Sequence, residues 1–270
     1  MTDLHTDLAV YWHGRPAGEA PTLVFLHGLT DSGEGWPQAV SHWERDYAIL
    51  SLDQRGHGRS PRFTRGQLVE HPGEVMVRDA VRVLEQMPAP PVVIGHSLGG
   101  AVALTVAVRH PELVRGVVLE DPAPRGPEDP QRDPGRGEMF LEGVRLSLAA
   151  EDDDALVRLR REQRPDWPES ELLVTGRAEQ QVDLDYLAYG DIKPTTAWTE
   201  LFPKVGVPAL VISGDAEEGL CVDGTVEKGL QEIGNPNVVL TRISGAGHCI
   251  RREQPDRFYE VVDDWLHALP

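Results

Sequence analysis

Short apolar runs recur along the chain at residues 23–26, 48–52, 92–94, 116–119, 209–212 and 238–243. Several are rich in Val and Ile and lack polar alternation, as strands buried on both faces must be. Between them the period changes. Over residues 75–87, Met76, Ala80, Val83, Leu84 and Met87 share one helical face, and Arg78, Asp79, Arg82 and Glu85 take the other. Residues 101–110 predict an apolar helix stopped by Pro111. Residues 256–269 repeat the stripe with Phe258, Val261, Val262, Trp265 and Leu269. Strands alternating with helices predict an α/β fold, a mostly parallel central sheet flanked by helices.

One region breaks this rhythm. From residue 125 to about 194 no strand-like run occurs, and acidic residues crowd in. The segment opens with RGPEDPQRDPGRG, too rich in Pro and Gly for regular structure, and continues with helix-like pieces at 138–150, 153–163 and 169–182. It leaves the sheet just after a strand end, where open α/β folds bind their ligands. The expected organisation is therefore a core of residues 1–124 and 196–270, with 125–195 inserted as a helical cap.

A length of 270 residues suits one large domain carrying such an insertion. The formal charge of −18 argues against nucleic acid or an anionic membrane as partner. The first residues carry acids and no apolar h-region, and no run approaches the roughly 20 apolar residues of a membrane span. With two cysteines there is no disulfide framework, so a cytoplasmic location with reduced thiols is expected. Neither zinc-type Cys/His spacing nor a phosphate-binding glycine loop ending in Lys-Ser or Lys-Thr is present, so no metal and no cofactor are expected.

The chemistry concentrates in VVIGHSLGGAVAL, residues 92–104, where a serine sits between glycines at a strand-to-helix corner. Gly95-His96-Ser97-Leu98-Gly99 fits the G-x-S-x-G turn that lifts a hydroxyl above the sheet. A seryl hydroxyl is a poor nucleophile without a base in reach. Of the ten histidines, His248 follows the run at 238–243, so its loop leaves the same sheet edge as Ser97. His27 and His57 read as structural loop residues, and His96, beside the serine, is expected to point away. The Leu98 N–H, opening a helix, is a natural donor to an oxyanion.

HG at 27–28, DQRGHGRS at 53–60, GHSLGG at 95–100 and GAGH at 245–248 together resemble the α/β-hydrolase family over nearly the whole chain. The resemblance implies a Ser…acid…His order, with the acid in one of two places. One is the loop after the run at 209–212, which holds Asp215 and Glu217; the other follows the run at 116–119, where some branches carry it and this chain has Asp121. It also implies a second oxyanion donor in HGLTDSG, best matched by the Leu29 N–H. Serine rather than aspartate at the elbow leaves hydrolysis of a small-molecule carboxylic ester or lactone as the expected activity. A C–C bond hydrolase acting on a diketone and a ligand receptor that keeps the fold without turnover are the alternatives. Trp36 is the expected pocket aromatic, with Trp167, Tyr186, Tyr189 and Trp198 as further candidates. Cys221 and Cys249 are expected in neighbouring loops. Oligomeric state is not legible from the chain, and a homodimer stays open.

Overall fold

The structure, a computed structural model, describes residues 4–215 and 220–270. Each predicted run forms a strand: β2 (Thr22–Leu26), β3 (Ala48–Leu52), β4 (Val92–His96), β5 (Gly116–Glu120), β6 (Ala209–Ser213) and β7 (Val238–Arg242). A strand at Val10–Gly14, β1, adds an edge that the hydrophobic pattern does not announce. The sheet runs β1-β3-β2-β4-β5-β6-β7, with β1 antiparallel to β3 and every other pair parallel.

The continuous apolar runs resolve by strand alternation into two cores. Val24, Leu26, Leu50, Leu52, Val93 and Val117 face helices α3 (Pro72–Leu84) and α4 (Leu98–Arg109). Leu23, Phe25, Ile49, Ile94, Val118 and Leu210 face α1 (Pro37–Trp43) and the last helix, α12 (Pro255–Ala268). Helices on both faces are what buries a parallel sheet. The chain passes from β2 to β3 on one side, then crosses back to place β4 on the other side of β2. The loops after β2 and β4 therefore diverge at a topological switch point, the crevice where open α/β sheets receive ligands.

Between β5 and β6 the chain forms α5 (Pro134–Leu148), α6 (Asp153–Gln163), α7 (Glu169–Gln180) and α8 (Leu184–Tyr189). Asp133, Asp152 and Asp183 cap three of these helices by accepting backbone N–H groups. The chain leaves and rejoins the sheet side by side: Arg125 and Ala197 form an isolated bridge, and the Trp198 N–H donates to the Arg125 carbonyl at 2.9 Å. No helix among the described residues is long and apolar enough to cross a membrane.

Candidate active site

Ser97 follows the last residue of β4 with φ 51° and ψ −114°, a backbone region that an L-residue occupies only under constraint. Its N–H donates to the Glu120 carbonyl at 3.0 Å, and its carbonyl accepts from Ala101 and Ala123, so the corner is held from both sides. Gly99 is obligatory here. A Cβ on it would lie 2.6 Å from the His27 carbonyl oxygen and closer still to that of Leu26. The Ser97 hydroxyl does not cap the helix that follows, and it makes no hydrogen bond to another described residue.

Asp121 is fully buried at the end of β5 with φ 35°. Its carboxylate accepts the Cys221 N–H at 2.9 Å, the Val222 N–H at 2.8 Å and His248 Nδ1–H at 2.5 Å. With Nδ1 donating, Nε2 of His248 carries the lone pair in the neutral ring. Burial pulls the His248 proton affinity down, but the Asp121 hydrogen bond, with Cys221 adding to it, sets the net well above the ordinary value of 6.5.

Asp215 sits elsewhere: it is exposed, its carboxylate accepts the Gly245 N–H at 2.7 Å, and its N–H donates to the Ala246 carbonyl. It shapes the turn before His248 without touching the ring. Glu217 lies outside the described residues. Of the two described candidates, Asp121 is the one the fold brings to the imidazole.

Ser97 and His248 line one cavity of about 810 Å³, together with Leu29, Leu98, Cys221 and Cys249. Such a volume falls in the range of small-molecule sites. Leu98 opens α4, so its N–H has no intrahelical acceptor. The Leu29 N–H likewise donates to no described backbone carbonyl.

Two expectations need correction. Trp36 does not line this cavity: it is 1% exposed, packs on Phe25 at 4.9 Å between ring centres, and carries the Arg251 guanidinium 4.0 Å above its ring. A cation from a helix more than two hundred positions away buries it, a contact that local pattern could not reveal. His96 does not point away. The sharp turn at Ser97 ends strand alternation, so the His96 ring reaches the cavity, lies 4.8 Å from the His248 ring, and donates Nε2–H to the His248 carbonyl at 3.0 Å. Burial and then the His248 charge drive its proton affinity well down, which keeps it neutral. His27 and His57 are buried and serve backbone: His27 donates to the Gly28 carbonyl and accepts from Gln54 N–H. Of the other aromatics, Trp167 and Phe140 line the cavity, while Tyr186 is core.

A buried ionic network that sequence reading missed stands behind the site. Glu120 accepts Arg251 N–H and Nη1–H, both at 2.8 Å. Asp31 accepts Arg252 Nη2–H at 2.8 Å, and Arg252 Nε–H donates to Glu171 of α7 at 2.7 Å. This network ties the β5 end, the loop after β2 and the inserted helices to the short helix α11 (Ile250–Glu253) that follows His248. Burial alone would raise Asp31, yet Arg252 and Arg251 hold it below the usual carboxylate range. The network's one mark in the sequence is the pair Arg251-Arg252 three positions after His248, in GHCIRREQP.

Asp121, Cys221 and His248 offer ligand atoms within 4.8 Å of one another, a cluster of the size a metal ion could use. The Asp121 carboxylate, however, already accepts three donors, which suits an orienting group for the ring better than a metal ligand.

Comparison with known proteins bears on the family and the fold. The pimeloyl-[acyl-carrier protein] methyl ester esterase of Vibrio parahaemolyticus is 33% identical, over 42% of this chain and 41% of that protein. Thus the chain aligns with about two fifths of the length of that relative. The (E)-2-((N-methylformamido)methylene)succinate hydrolase of Acinetobacter baylyi is 22% identical over 94% of this chain and 93% of its own. Among solved structures, E-2-(acetamidomethylene)succinate hydrolase superposes with a TM-score of 0.77 at 18% identity, covering 97% of this chain and 98% of that one. The alpha/beta hydrolase family model matches residues 23–261, and this chain belongs to that family.

Proposed function

We propose that this chain is a serine hydrolase of small-molecule carboxylic esters or lactones, with Ser97 as nucleophile, His248 as base and Asp121 as the acid. The observation that carries the reading is the 2.5 Å bond from His248 Nδ1 to a buried Asp121, in the cavity that the strained Ser97 also lines. That bond fixes the tautomer and turns the Nε2 lone pair outward.

In this reading the Ser97 hydroxyl attacks the substrate carbonyl while Nε2 takes its proton. The imidazolium so formed is stabilised by the Asp121 carboxylate. The tetrahedral oxyanion receives the Leu98 and Leu29 N–H groups, and removing one such donor costs roughly 10²–10³ in rate. Nε2 then protonates the departing alkoxide oxygen as its bond to carbon breaks, leaving an acyl-serine. Water enters, gives a proton to Nε2 and attacks the acyl carbon; return of that proton to Ser97 frees the acid. Helices α5–α8 act as the cap in this reading, which the lining of the cavity by Phe140, Val144 and Trp167 together with Ser97 supports. The names of two relatives, a methyl ester esterase and a succinate hydrolase, support hydrolytic chemistry.

Hydrolysis of p-nitrophenyl acetate and butyrate by wild type and Ser97→Ala tests the reading. The variant is expected to lose at least about 10³ in kcat while retaining the fold. Equal slow rates in both proteins would instead indicate a receptor that keeps the constellation without turnover.

A further inference from the structure

The molecule is strongly acidic, with a formal charge of −18, yet its cavity wall is cationic. Arg136, Arg160, Arg164, Lys193 and Arg252 line it against two acids, Asp31 and Glu179. Three of these cations are occupied or placed beside acids. Arg252 holds Asp31 and Glu171, Lys193 donates to Asp129 at 3.2 Å, and Arg136 lies 3.8 Å from Asp129 and from Asp133.

Arg160 and Arg164 are different. Arg160 is 8% exposed and spends Nη1 on Glu179 and Gln163, both at 2.9 Å, while its Nε–H is buried with no partner among the described residues. Arg164 has no carboxylate within ion-pair distance among the described residues. Both guanidiniums rest on the Trp167 ring, at 5.6 and 5.3 Å from its centre. Glu179 offers one carboxylate for the two cations: one oxygen pairs with Arg160 and the other accepts the Ser147 hydroxyl. Burial, and the neighbouring Arg252 and Arg164 charges, pull Arg160 down in spite of Glu179. A surplus of positive charge thus remains at the α6 end of the cavity.

We propose that Arg160 and Arg164, seated on Trp167, form an anion subsite for a carboxylate carried by the substrate. The carboxylate accepts from the exposed Arg164 guanidinium, a charge-assisted contact, and the buried Arg160 guanidinium on the same ring adds its charge from behind. The inference rests on the serine hydrolase reading and narrows it: the preferred substrate is an acidic ester or lactone, its free carboxylate remote from the scissile carbonyl. The scissile carbonyl belongs at Ser97, and the free carboxylate at the wall that the inserted segment supplies.

Two arms test the proposal. In the first, monomethyl esters of the C4 to C8 dicarboxylic acids are compared with neutral methyl esters of equal length, by acid release at constant pH. At one length or more, kcat/KM is expected to favour the acidic ester about tenfold, a single charge-assisted contact. Arg164→Gln should remove that ratio through KM, and Arg164→Lys should restore part of it. In the second, adipate and adipamide are titrated into Ser97→Ala and followed by thermal stabilisation. Adipate alone should stabilise, and less so with Arg164→Gln or Arg160→Gln added. The subsite is overturned if acid and neutral esters are cleaved alike, or if adipate and adipamide act alike. If no ester is cleaved but adipate still binds through Arg164, the subsite stands and the serine hydrolase reading falls.

Discussion

Replacing Asp121 with Asn changes one atom type and so isolates the charge. The carboxylate now accepts from Cys221 N–H, Val222 N–H and His248 Nδ1–H, at 2.9, 2.8 and 2.5 Å. The Val222 N–H lies on one oxygen and the Cys221 N–H shares the other with His248, so an amide oxygen kept on Val222 turns the NH2 group to Cys221 and His248. Nδ1 becomes the acceptor, the ring proton moves to Nε2, and the base presents a hydrogen to Ser97. Wrong-tautomer substitutions of this kind lower kcat by about 10⁴ in serine hydrolases. Losing charge-assisted bonds at a buried site should also cost about 1.5–3 kcal/mol of stability. p-Nitrophenyl butyrate turnover with a parallel thermal melt measures both, and Asp215→Asn and Glu217→Gln serve as comparisons expected within about twofold of wild type. A variant Asp121→Asn that keeps a tenth of the wild-type rate, or an Asp215→Asn or Glu217→Gln that abolishes it, refutes the assignment of the acid.

The acid limb of kcat/KM should lie above pH 6.5, because Asp121 raises His248 and only the neutral ring accepts a proton. By linkage the same shift stabilises the fold fully below the unfolded value near 6.5 and fades as pH climbs through the folded value; pH-dependent melts should show that decline. Gly99→Ala should lower Tm by several degrees, since the new methyl meets the Leu26 and His27 carbonyls and overpacking of that kind costs about 1–3 kcal/mol. By contrast Gly143→Ala, with nothing within 4 Å in the interior of α5, should be neutral or stabilising by up to about 1 kcal/mol in the same melts. Glu120→Gln should destabilise by about 1.5–3 kcal/mol, because it removes the charge-assisted bond to Arg251, 1% exposed, and leaves Asp31 at 3.4 Å as that cation's carboxylate; calorimetry reads the loss.

What could be read from the chain and what could not divide along physical lines. The five interior strands, β2 to β6, were legible because parallel strands between helical layers must be apolar throughout, and the edge strand β7 through its apolar Val238-Val239-Leu240 start. β1 was not, since VYWHG forms a half-exposed edge whose polar and aromatic residues carry no clear period. Ser97 and His248 stood out because tight turns demand glycines and because both loops leave strand ends. Asp121 shared its candidacy with Asp215 and Glu217, as the N–H groups that hold it come from residues 221 and 222, a hundred positions away. Trp36 looked like a pocket residue until Arg251 was found stacked on it. His96 looked hidden until the turn at Ser97 was seen to end the alternation. The charged wall was invisible for the same reason: Arg160, Arg164 and Arg252 gather only when α6 and α11 come together around Trp167.

The proposed chemistry depends most directly on the reactivity of one hydroxyl, that of Ser97. Wild type, Ser97→Ala and His248→Gln are to be treated with a fluorophosphonate, and the adduct mapped by peptide mass spectrometry. The account predicts one adduct per chain, on Ser97, absent from Ser97→Ala and formed at least about a hundredfold more slowly in His248→Gln. An adduct on another residue, or His248→Gln reacting at the wild-type rate, would contradict it.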